Sequence, residues 1–103
     1  MLNDKESIEI ALGKGLVRKL GEQEFEFQSL GSDSLPDVYE LIGNLKDDPE
    51  KITERQNSSL LVKLIDDMLK LSFPDLDEVK RKRLGKKYHA ELKVIFNELH
   101  MPA

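Results

Sequence analysis

Two prolines, Pro49 and Pro74, bracket a leucine-rich stretch, and this arrangement constrains the fold more than any other feature of the chain. Proline has no backbone N–H and disfavours helix for the residue before it, so "KDDPE" interrupts a helix and "SFPDLDEV" stops one. Between them Leu61, Leu64, Ile65, Met68 and Leu69 recur at helical spacing, and Leu60, Val62 and Leu71 widen the stripe. A helix from about Lys51 to Leu71 is predicted, with an apolar arc broad enough to touch two neighbours. At 103 residues the chain fits one domain, 1–103, near the size at which a single core suffices with little margin.

Upstream of Pro49 the pattern changes period. "SIEIAL", "LVRKL" and "EFEFQS" roughly alternate apolar and polar residues and are separated by "GKG" and "GEQ", which predicts a β meander over residues 7–29. Gly13, Gly15 and Gly21 supply the positive φ that tight turns need. Phe25 and Phe27 fall on one face of the last strand, opposite Glu24, Glu26 and Gln28, and that face requires a cover. A short helix over about residues 35–46 follows. Ser34 is its expected N-cap, Pro36 lies in its first turn, and Asp37 approximates a capping box.

Downstream of Pro74, Asp75 or Asp77 can cap a helix starting near Leu76, where acidic residues meet the positive end of the dipole. "KRKRLGKK" then places six cations in eight positions, 80–87, and Gly85 is placed to end or kink the helix. Tyr88, Leu92, Ile95 and Leu99, in steps of four, three and four, mark a final amphipathic helix. The expected class is therefore α+β and mostly helical, a small N-terminal antiparallel meander packed on three or four helices spanning 34–99.

Charge is unevenly divided. Residues 1–79 carry a net −9 and residues 80–103 a net +5. A basic appendage on an acidic body can pack against that body or bring one copy against another head to tail, so a homo-oligomer is expected. The same basic run raises the alternative of nucleic-acid binding through phosphate neutralisation. Aromatics suited to base stacking are few, and Tyr88 fits the apolar stripe better than a stacking platform.

Other chemistries find little footing. With no cysteine there are no disulfides, thiolate metal sites or Cys nucleophiles, which suits a reducing cytoplasm. No apolar run approaches the ~20 residues needed to span a bilayer, and "MLNDKESIEI" lacks the features of a signal peptide, so no membrane partner and a cytoplasmic location are expected. "HAE" at 89–91 lacks the cysteines of a zinc deaminase. "GKG" at 13–15 lacks the phosphate-loop spacing, Ser58 and Ser59 have no histidine near them in sequence, and Asp66 and Asp67 diverge on a helix. No catalytic, cofactor-binding or metal-binding residues are assigned, and the chain is not expected to be an enzyme.

The succession of "SIEIALGKGLVRKL", the capped "SLPDVYELI", the long "SSLLVKLIDDMLKLSFPDLDEV" and the closing "AELKVIFNEL" resembles small phage tail assembly chaperones over about residues 7–99. The resemblance implies a mostly helical, non-enzymatic protein that binds the tape measure or tail tube protein during virion assembly, often as an oligomer, in a bacterial or archaeal host. The "KRKRLGKK" segment carries more cations than that family leads one to expect. The candidate partner-binding residues are Leu61, Leu64, Ile65 and Met68 on one stripe, Tyr88, Leu92 and Ile95 on the other, and the cations Lys80, Arg81, Lys82 and Arg83. The two stripes can form a groove for a partner helix or can pack on each other and on Phe25 and Phe27.

Overall fold

A computed structural model describes residues 3–100; residues 1–2 and 101–103 lie outside the described part. The chain begins with a helix, α1 (Asp4–Ala11), rather than with the first strand of a meander. Asn3 and Glu6 explain the difference. The Asn3 Oδ1 accepts the Glu6 N–H at 2.8 Å and the Glu6 Oε1 accepts the Asn3 N–H at 3.3 Å, a reciprocal capping box that satisfies the donors of the first turn. The alternation in "SIEIAL" spans too few residues to outweigh that cap, and Ile8 stays 60% exposed. Gly13, at φ +86°, lets the chain leave the helix in the left-handed region.

The sheet is a single hairpin of β1 (Leu16–Leu20) and β2 (Gln23–Phe27), antiparallel, with Leu16 opposite Phe27, Arg18 opposite Phe25 and Leu20 opposite Gln23. Its two-residue loop carries Gly21 at φ +63° in the first central position. Leu16, Leu20 and Phe27 are buried on the inner face. The cover for Phe25 and Phe27 comes from Phe73 and not, as expected, from the helix over residues 35–46: the Phe73 ring meets both edge-on, each at 5.6 Å between centroids.

The helical part follows the sequence closely and departs at its caps. α2 (Leu35–Leu45) buries Val38 and Leu41. Ser34 does not cap it; its hydroxyl reaches Asp67 at 3.4 Å, and Asp37 instead pairs with Lys63 at 2.7 Å. Pro49–Thr53 form a 3-10 turn capped by Asp48, so the long helix α3 (Arg55–Ser72) starts four residues later than Lys51. Asn57 is the buried polar residue at this corner; it donates to the Lys51 carbonyl and accepts from Asn44, each at 2.9 Å.

α4 (Glu78–Lys87) is capped by Asp77, whose Oδ1 accepts the Lys80 N–H at 2.8 Å, and α5 (His89–His100) follows after a break at Tyr88. Gly85 therefore lies inside α4 and does not end it. α3 is the centre of the molecule, packed against α2, α4, α5 and β2. The resulting α+β, mostly helical domain has one core, in which Phe27, Leu41, Leu64, Met68, Leu69, Leu92 and Phe96 are fully enclosed. Among the described residues no helix is long and apolar enough to cross a membrane.

Candidate functional site

The stripes on α3 and α5 close on each other. Leu61, Leu64, Ile65, Met68, Leu92 and Ile95 are all at most 3% exposed and sit in the common core with Phe27. Of the two arrangements open to them, the stripes take the packed one, so as residues that hold the fold they are not a free partner surface. The reason is size: a 103-residue chain has too little apolar surface to cover its core and also leave two complete stripes bare.

Two open grooves lie on the flanks of α4. This helix has no buried residue, and it stands as a ridge between two grooves. Lys80, Arg81, Lys82 and Arg83 point in different directions for a simple reason, the 100° turn per residue of an α-helix. Arg81 and Gly85 face α3. Arg81 reaches Asp66 at 2.8 Å through Nε and at 3.4 Å through Nη2, with only 12% of its side chain exposed, and the Asp66 carboxylate raises the guanidinium pKa further. Arg81 is thus a structural tie between helices. Gly85 lies beside Leu69, with room for a methyl group between them.

One flank forms, with α3, a groove of about 630 Å³. Val62 is its exposed apolar residue, over the buried Ile65 and Leu69; Lys63, Lys82, Lys86 and His89 stand along its edges, and the paired Asp66 and Arg81 also line it. Lys82 makes an exposed pair with Glu78 at 3.4 Å, a contact of small energetic consequence. Lys63 is held by Asp37, whose hydrogen bond and charge raise the ammonium pKa.

The other flank forms, with the hairpin, a groove of about 470 Å³. Leu20, Phe25, Leu76, Leu84 and the half-buried Tyr88 line it, and Lys80, Arg83 and Lys87 edge it at positions i, i+3 and i+7 of α4. The Lys87 ammonium also lies 5.2 Å from the centre of the Tyr88 ring. Among the described residues Lys80, Arg83 and Lys86 make no ion pair. The ten positions from Lys80 to His89 therefore divide between a structural role and two partly apolar, cationic grooves.

Two polar clusters escaped the reading of the sequence. Arg18 lies on the inner face of β1 and is clamped between α1 and α5. Its Nη1 meets Glu6 at 2.5 Å, its Nη2 meets Glu98 at 2.7 Å, and it holds the Glu6 carboxyl below the usual carboxylate range. The signal was present: in "LVRKL" Arg18 is two residues from both Leu16 and Leu20, so it shares their face. His100 is the second. Its Nε2 accepts the Leu30 N–H at 2.8 Å, which leaves Nδ1–H to donate to the Phe96 carbonyl at 3.0 Å. Burial lowers its pKa.

Among the described residues no cluster of three or more His, Asp or Glu is arranged to hold a metal ion. Comparison of the chain with protein-family models, with curated proteins and with solved structures finds no match, so the geometry and charge of the two grooves are what a functional reading must rest on.

Proposed function

We propose that this chain is a non-enzymatic binding protein of the phage tail assembly chaperone kind, which shields an amphipathic helical segment of the tape measure or tail tube protein in the host cytoplasm during virion assembly. The observation that carries the reading is the groove between α3 and α4. Val62 is its exposed apolar residue, lying over the buried Ile65 and Leu69, and is suited to the apolar face of a helix, while Lys63, Lys82 and Lys86 along the edges favour acidic residues flanking that face. This half-exposed valine, at 52%, is left without cover by the chain's own fold. Phosphate recognition would use the cations and leave that valine idle.

The test is co-expression of the full chain with the tape measure protein encoded in the same genome, followed by affinity capture and light scattering. A stable complex is expected with the native chain. Val62→Glu and Lys86→Glu, both at exposed positions, should weaken capture by about tenfold or more without changing the helical circular dichroism. Failure of the native chain to hold its client, or full capture by Val62→Glu, would remove the reading. Micromolar DNA binding at about 150 mM salt, lost when Lys80, Arg83, Lys86 and Lys87 become Gln, would put a nucleic-acid-binding regulator in its place.

A further inference from the structure

The hairpin–α4 groove has a counterpart on the same molecule. α2 turns Val38 and Leu41 into the core and leaves Pro36, Tyr39, Glu40 and Gly43 outward. Tyr39 is 64% exposed, and an aromatic side chain left in water is the type most enriched at protein interfaces. Glu40 stands next to it and Asp47 follows seven residues later, just past the end of the helix; both are exposed. Two exposed acids beside Tyr39 on this side of the molecule face outward, as the cations Lys80, Arg83 and Lys87 do on the edge of the groove. The match extends to the minority charges, Glu22 on the hairpin wall of the groove and Lys46 on α2.

The two surfaces cannot meet within one copy. α2 is tied to α3 at Asn57 and Asp67, whereas α4 meets α3 at Asp66 and Leu69, and at 100° per residue these sets lie on roughly opposite sides of the helix. We infer that the chain assembles head to tail with itself, the outward face of α2 on one copy seating Tyr39 in the hairpin–α4 groove of the next, with Glu40 and Asp47 against Lys80, Arg83 and Lys87. Such a contact joins two different surfaces and leaves one of each free, so it propagates into a ring or a filament. It uses the flank of α4 that the client groove does not.

Sedimentation of the full chain from micromolar to millimolar concentration reads the assembly directly. The native chain should gain mass with concentration and lose it with added salt. Tyr39→Ala and the double variant Arg83→Glu, Lys87→Glu should each need about tenfold or more higher concentration to associate, with unchanged circular dichroism. The decisive sample is their mixture. One variant keeps an intact groove and the other an intact α2 face, so together they should give a one-to-one complex that grows no further. A monomeric native chain at every concentration would overturn the inference, as would native-like association of either variant. A mixture that stays monomeric would also overturn it, because the intact groove of one variant would then have failed to take the intact α2 face of the other. Client capture is read separately, through Val62→Glu on the other flank, so failure of self-association and failure of capture are distinguishable.

Discussion

Arg18 occupies a place on β1 where its neighbours Leu16 and Leu20 turn inward and are buried. An inward cation survives there because Glu6 from α1 and Glu98 from α5 supply carboxylates on two sides, so one side chain ties three elements. Removing it leaves two acids facing each other across an emptied space. Arg18→Ala should therefore lower stability by about 1–2 kcal/mol, measured by urea denaturation, whereas Lys82→Ala on the open surface should leave the midpoint unmoved. His100 argues through pH. The Leu30 N–H needs an acceptor at Nε2, so the folded state keeps the ring neutral, and burial lowers its pKa from the ordinary 6.5. As pH falls below that ordinary value the unfolded chain takes up the proton first, so this part of the stability is complete above about 6.5 and declines below it. Denaturation midpoints between pH 7.5 and 5.5 should show that decline and lose most of it in His100→Gln, while His89→Gln, at an exposed site, should keep it. The depressed Glu6 pKa acts in the same direction but in a lower window, below the usual carboxylate range.

At the scale of the element, helices with long apolar stripes and strong punctuation were legible. Pro49 and Pro74 bound α3 as expected, and the Tyr88, Leu92, Ile95, Leu99 spacing located α5. Short pieces were not legible from period alone, because six residues such as "SIEIAL" fit a strand and a helix about equally, and the Asn3 and Glu6 cap decided the matter. The candidate site was legible in its cations and not in its apolar part: Lys80–Lys87 do edge two grooves, yet most of the stripe residues went into the core, since spacing identifies an apolar face without saying what will cover it. Gly85, placed by the sequence to end or kink a helix, is a helix-interior residue. A Cβ added there would sit 3.6 Å from a Leu69 methyl, an ordinary contact, and α4 would gain a better helix former. Gly85→Ala should raise stability by about 0.5–1 kcal/mol and the thermal midpoint by a few degrees in scanning calorimetry.

Across the whole molecule, burial is distributed very unequally. α3 gives six residues to the interior, counting Asn57, α5 gives three and α4 gives none. α4 is held by Arg81 to Asp66, by the half-buried Leu84 and by the covalent chain on either side. Free energies of local opening follow such differences, so its amides should exchange with deuterium well before those of α3 and α5, under conditions where the molecule as a whole stays folded. Equal protection of all three helices would show that α4 opens only with the rest. A lightly held ridge that forms one wall of each groove is also a movable partition: whatever draws it toward one neighbour changes the width of the opposite groove. Were the proposed client and a second copy both to bind, their occupancy on the two flanks would be linked, and by thermodynamic reciprocity each would alter the affinity for the other by the same factor.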